Sequence, residues 1–185
     1  MPTMHAHLVT VFSSLDASMA AVRASVESVP PALRCRRPAP ERWSVAEVLE
    51  HLALVEQLFT TRLATPIGDA RRAGLAAETG DCTPVPPPVA AAMANRAAPR
   101  SAPQAVKPTG RMDCPDALAA LRDAHAALRA LLSDADGLAL STVTYEHPFF
   151  GTLNVYQWAE LMAGHERRHA DQIREIAQQL REAGV

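Results

Sequence analysis

Apolar residues recur at three- and four-residue intervals in four separate stretches of this chain, the periodicity of amphipathic helices. In the first, Leu8, Val11, Phe12, Leu15, Met19, Val22 and Val26 predict a helix over residues 5–29, stopped by Pro30 and Pro31. In the second, Val48, Leu52, Val55, Phe59 and Leu63 form one stripe. Ser44 and Glu47 stand before it at the S-x-x-E spacing of a capping box, in which each side chain accepts from the other residue's amide. This helix is expected to end at about Ala64. The third opens at Asp113 and Pro115, with Asp116 favourable in its first turn, and carries Leu118, Leu121, Leu128, Leu131 and Leu132 to about Ser133. The fourth has Trp158, Leu161, Met162, Ile173, Ile176 and Leu180 on its stripe, and Asn154 with Gln157 forms an N-x-x-Q variant of the capping box at its start.

The connections are unequal. Pro38 and Pro40 break the short link between the first two helices. Residues 65–114 are punctuated by Pro66, Pro84, Pro86, Pro87, Pro88, Pro99, Pro103 and Pro108, with an alanine-rich turn of helix near residues 89–96. Some fifty residues is far beyond the ~2–8 of an ordinary helix–helix connection. Either this is a disordered insert, or it is a crossover that carries the chain back along the bundle so that the second and third helices run parallel. The crossover is the more economical reading, and it is placed to cover the mouth of a site. The stretch S-T-V-T-Y-E-H-P-F-F-G-T-L is β-branched and aromatic but too isolated to build a sheet, and it reads as an extended connector. Pro148 holds His147 extended and Gly151 permits a turn. The expected fold is all-α, in a single domain spanning residues 1–185.

Composition narrows the function classes. Hydrophobic residues are 48% and charged residues 21% of the chain, with a net charge of -2. There is no basic stripe, and only 4% of residues are aromatic, which disfavours nucleic-acid binding. No apolar run reaches the ~18–20 residues of a membrane span, and the first residues lack the basic-then-apolar pattern of a signal peptide. Cys35, Cys82 and Cys114 are scattered and odd in number, which fits a reducing cytoplasm better than a disulfide framework.

The candidate chemistry lies in histidines. His165 and His169 fall one turn apart on the inward stripe of the last helix, where two imidazoles can share one metal ion. The competing reading of an isolated H-x-x-x-H is a pair of packed or surface histidines. His51 lies at the edge of the second helix's stripe. Three imidazoles from two helices leave a coordination position open, the arrangement of a catalytic rather than a structural site. His125 has no second ligand at helical spacing and reads as packed or partly exposed; His5 and His7, at a fraying terminus, read as solvated.

At these residues the chain resembles a known family. R-W-S-V-A-E-V-L-E-H-L-A-L-V-E on the second helix is similar to the DinB-like superfamily, in particular its DinB_2 and YfiT-like branch. So is H-P-F-F-G-T-L-N-V-Y-Q-W-A-E-L-M-A-G-H-E-R-R-H-A-D-Q-I-R-E-I leading into the last. V-K-P-T-G-R-M-D-C-P-D-A-L-A-A-L matches more weakly at the entry to the third. The resemblance implies a four-helix bundle of up-down-down-up connectivity with a divalent metal, zinc or nickel, on His51, His165 and His169. It also implies a homodimer, for which Leu54, Leu58 and Leu161 broaden the apolar stripes. Relatives in the family include metal-dependent transferases that use low-molecular-weight thiols, such as bacillithiol and mycothiol, and proteins described as metal-dependent hydrolases.

Three functions then compete: a thiol-dependent S-transferase acting on a small-molecule substrate, a metal-dependent hydrolase, and a non-enzymatic metal-binding bundle. A hydrolase wants a carboxylate base beside the nucleophilic water. Glu47 is engaged by its cap, and Glu166 points about 100° from His165 on the helical wheel. Glu56 is the remaining candidate. The lack of a clear base favours the transferase. Metal ligands are expected to donate their second ring nitrogen to an oxygen, with Gln172 a contributor.

Overall fold

Each of the four periodic stretches forms a helix in the computed structural model of the chain, which describes residues 4–79, 83–95 and 101–184. The helices are α1 (Ala6–Glu27), α2 (Val45–Arg72), a short α3 (Pro87–Ala94), α4 (Cys114–Asp134) and α5 (Val155–Glu182). A hairpin of β1 (Thr144–His147) and β2 (Gly151–Asn154) precedes α5. Local chemistry starts the long helices where the sequence places them. The Ser44 hydroxyl accepts from the Glu47 amide at 3.2 Å, and the Glu47 carboxylate accepts from the Ser44 amide at 2.8 Å. Asn154 and Gln157 reciprocate in the same way at 2.9 and 3.0 Å, and Asp113 accepts from the Asp116 amide at 2.9 Å.

Two apolar clusters fix the helix directions. One joins Leu8 and Leu15 from the start of α1, Phe59 and Leu63 from the second half of α2, Leu128 and Leu132 from the end of α4, and Trp158 and Met162 from the start of α5. The other joins Val22 and Val26, Leu49 and Leu52, Ala117 and Leu121, and Ile173 and Ile176, from the opposite ends of the same helices. So α1 and α5 run one way while α2 and α4 run the other: up, down, down, up. The parallel pairs α2 with α4 and α1 with α5 make the closest packing. Between the clusters each helix contributes one buried polar residue: Ser18, Glu56, His125 and Glu166. The polar layer spans the whole bundle.

The crossover bridges one side of the bundle. Ala139 donates to the Ala76 carbonyl, and the Thr109 and Gly110 amides donate to Glu50 at 2.8 and 3.1 Å. Helix α3 lies against α5, where a Cβ on Gly164 would come 3.3 Å from Met93 Cγ. Arg168 donates to the carbonyls of Met93 and Asn95 at the end of α3.

Two boundaries differ from the sequence expectation. Helix α2 does not end at Ala64 but continues through Pro66 to Arg72, so the crossover starts at residue 73 rather than 65. Pro66 removes only the hydrogen bond to the carbonyl of Arg62, an exposed residue, while Ile67 adds a further buried position to the stripe. Arg71 then ties the last turn to Asp134 at 2.8 Å. The stretch read as an extended connector is a β-hairpin in which Thr144 pairs with Asn154 and His147 with Gly151. It pairs with itself around Pro148, Phe149 and Phe150, with Gly151 at φ +73°. Buried Val143 and Leu153 anchor it, and Trp158 Nε1 donates to the Tyr145 carbonyl at 3.1 Å.

Leu161 is buried within the chain, and Leu54 and Leu58 are half-buried. Of the cysteines, Cys35 is exposed and Cys114 buried, while Cys82 lies outside the described residues. Among the described residues no helix is long and apolar enough to cross a membrane.

Candidate metal centre

Helices α2 and α5 bring His51, His165 and His169 together. Their ring centroids lie 4.5–5.3 Å apart, and one nitrogen from each falls within 4.8 Å of the other two. The Nε2 atoms of His165 and His169 are 3.1 Å apart. Two nitrogens each bonded at ~2.0–2.1 Å to one tetrahedral ion stand roughly 3.3–3.4 Å apart, so this spacing suits a shared cation.

The second ring nitrogens decide which atoms face the gap. His51 Nδ1 lies 2.7 Å from the Val106 carbonyl, which can only accept. The proton is therefore on Nδ1, and Nε2 keeps its lone pair. Val106 belongs to the crossover, so that segment orients a ligand. His169 Nδ1 lies 2.7 Å from Gln172 Oε1, with the same consequence, as the helical spacing predicts. The expectation of an oxygen partner for every ligand is not met at His165, whose buried Nδ1 has none among the described residues. Burial pushes the His165 pKa down, with help from the charges of His51, Arg168 and His147, to about 3. Burial also lowers His51, against the opposing bond to Val106. Both rings are thus held neutral, the form that ligates a metal. The donor set fits a divalent metal ion.

The three rings line a cleft of about 940 Å³. Trp43 packs on His51 with centroids 4.9 Å apart, and Trp158 and Phe150 also line the cleft. His147 reaches the same cleft from the hairpin, its ring 4.6 Å from Phe150 and 4.7 Å from Trp158. Its Nδ1 accepts from the Phe149 amide at 3.1 Å, which puts the proton on Nε2. That is the opposite tautomer to His51 and His169, so His147 is set to donate rather than to ligate. His5 and His7 are not loosely solvated: His5 caps α1, its amide donates to Asp136 at 3.1 Å, and His7 packs on Tyr156.

His125, which reads from the sequence as packed or partly exposed, meets Glu56, the carboxylate that the sequence leaves open as a base. His125 Nδ1 lies 3.3 Å from Glu56 Oε1 and 3.4 Å from Glu166 Oε1, in the polar layer. Both carboxylates therefore face the interior and not the cleft. Burial works to lower the His125 pKa, but the hydrogen bonds and charges of Glu166 and Glu56 outweigh it and lift the pKa to about 9. Burial raises Glu56 to about 8, with His125 opposing and Glu166 assisting. The folded state thus holds protons that the unfolded chain gives up at lower pH. Stability from His125 is full below its ordinary 6.5 and is lost as the pH rises through about 9. Glu56 acts with the same sign from 4.5 to about 8. The urea midpoint of the metal-free protein is expected to fall between pH 7 and about 9.5; a constant or rising midpoint would contradict this reading.

Comparison with known proteins agrees with this picture. The sequence profile of the DinB superfamily matches residues 14–173. YuaE of Bacillus subtilis (strain 168), described as uncharacterized, is 27% identical over 152 residues, covering 80% of this chain and 85% of that protein. The four-helix bundle protein TT2238 superposes with a TM-score of 0.61 at 23% identity, over 91% of this chain and 98% of its own. That likeness bears on the fold.

Proposed function

We propose that this chain, which belongs to the DinB superfamily, is a metal-dependent S-transferase that joins a low-molecular-weight thiol to a small electrophile. The supporting observation is the convergence of three imidazoles at an open cleft whose lining carboxylates Glu47 and Glu175 are paired with Arg37 and Arg42. Glu47 is held by Ser44 and Arg37, and Glu56 and Glu166 belong to the interior layer. A hydrolase would need a carboxylate base at the cleft, where Glu41 and the Arg42-paired Glu175 are the other carboxylates on the lining. The second reading, a hydrolase, keeps only the metal and the cleft.

His51, His165 and His169 would hold the ion, with Val106 and Gln172 fixing the first and third rings. A divalent ion there supplies Lewis acidity, which keeps a thiol in its nucleophilic thiolate form near neutral pH. Trp43, Phe150 and Trp158 would shield the sulfur from water, and His147, packed on Phe150 and Trp158, would present a donor in the same cleft. In the overall reaction the thiol proton leaves to solvent, a carbon–sulfur bond forms, and the displaced group departs with the electron pair.

The test incubates zinc- and nickel-loaded protein with several small thiols and a panel of alkyl and epoxide electrophiles. Thioether formation that needs metal and disappears in His51→Ala is the expected result. Electrophile loss at the same rate without thiol, with solvent oxygen in the product, would replace this reading by the hydrolase.

A further inference from the structure

The polar layer carries more charge than packing needs. Glu56 and Glu166 are completely buried side chains, and His125 is nearly so. Two carboxylates so far from water are costly unless matched by positive charge and good geometry. The contacts present are not those of an optimal ion pair. Charged N–H···O bonds settle at about 2.7–2.9 Å, whereas His125 Nδ1 stands 3.3 and 3.4 Å from the two carboxylates. Those separations fall within roughly 2.8–3.6 Å, the distance between neighbouring atoms bonded at ~2.0–2.2 Å to one octahedral or tetrahedral ion. Glu56 Oε2 is buried with no hydrogen-bond partner among the described residues, and Glu166 Oε1 has only the long 3.4 Å contact with His125, so acceptor capacity is left over inside the layer.

We propose that Glu56, His125 and Glu166 form a second divalent-metal site in the middle of the bundle, separate from the histidine triad at the cleft. Two carboxylates and one neutral imidazole balance the charge of a divalent ion. The oxygen-rich donor set suits a harder metal than three imidazoles do, manganese(II) or iron(II) rather than nickel. Surrounding groups orient the ligands. Ser18 donates to Glu166 Oε2, and the other oxygen, Oε1, is the one facing His125. Asp16 Oδ1, held by Arg129 at 2.7 Å, lies 3.9 Å from His125 Nε2 and favours the proton there, leaving Nδ1 to bind. Because Glu166 follows His165 on α5, successive residues serve two sites on different sides of one helix. This second site stands whichever reaction runs at the cleft.

Manganese(II) is the probe, because its free aqueous form is counted directly by electron paramagnetic resonance. Protein is chelated, then refolded from urea with manganese present, so that entry into a buried layer does not limit the result. In His51→Ala/His169→Ala protein, which lacks the cleft site, one manganese per chain is expected to remain bound after gel filtration. Adding Glu56→Gln, which keeps the shape of the carboxyl, should weaken that binding at least about tenfold while helicity is unchanged. Where the double variant fails to fold, the full-ligand protein is counted instead, with two ions per chain expected and one in Glu56→Gln. A folded double variant that binds no manganese, or equal binding with and without Glu56, overturns the proposal.

Discussion

His169→Ala is expected to abolish tight binding of a divalent metal at the cleft. Losing a residue that merely orients a metal ligand costs about 10–100-fold in affinity. His169 would contribute the ligand atom itself, so the loss should be at least about 100-fold. The fold should survive. His169 is in the middle of α5, where alanine is the best helix former, and its neighbours Ala170 and Ile173 keep the α5 stripe in the core. Metal content by mass spectrometry after gel filtration, beside far-ultraviolet circular dichroism, separates loss of metal from loss of fold. Unchanged occupancy in the folded variant would remove His169 from the site.

His125→Ala acts on the other quantity, stability. It deletes the cationic partner that the described residues give to the completely buried Glu56 and Glu166, of which Glu56 keeps its own proton below about pH 8. Breaking a buried pair from one side costs about 3–5 kcal/mol, because the remaining charge stays out of water uncompensated. That is a large share of the ~5–15 kcal/mol that holds a typical domain together. Urea denaturation in the presence of chelator measures it. A loss below about 1 kcal/mol would mean that the layer is not the charged network described.

How much was legible in the sequence depended on whether a feature is local. Capping boxes at Ser44 and Asn154 involve residues three apart, so they could be read without any fold. The pairing of His165 with His169 is likewise set by one helical turn. His51 joined them only through the resemblance and its place on a stripe, because its distance to α5 is a tertiary quantity. The end of α2 was misread because Pro66 outweighed a better stop signal. Gly74, at φ +69°, closes the helix with hydrogen bonds from its own amide to Arg71 and from Leu75 to Ala70. The hairpin was missed because a two-stranded sheet looked unsupported, and its support comes from Trp158, outside the stretch itself.

The polar layer was invisible for a similar reason. Ser18, Glu56, His125 and Glu166 stand one to a helix, each ordinary in its own sequence context, and only the up-down-down-up packing brings them to one level. Even so, a trace was present: all four lie on or beside the apolar stripes, where a surface residue has no reason to be. The second ring nitrogen of His51 was also out of reach, since its acceptor, Val106, comes from a segment with no periodic pattern to place it.

The measurement that bears most directly on the central claim is an anomalous-scattering map from crystals of protein loaded with one equivalent of zinc. One ion is expected in the cleft, bonded at about 2.0–2.1 Å to Nε2 of His51, His165 and His169, with at least one further position open to the cleft. An ion held by other atoms, or no ion at these three rings in fully loaded protein, would contradict the account.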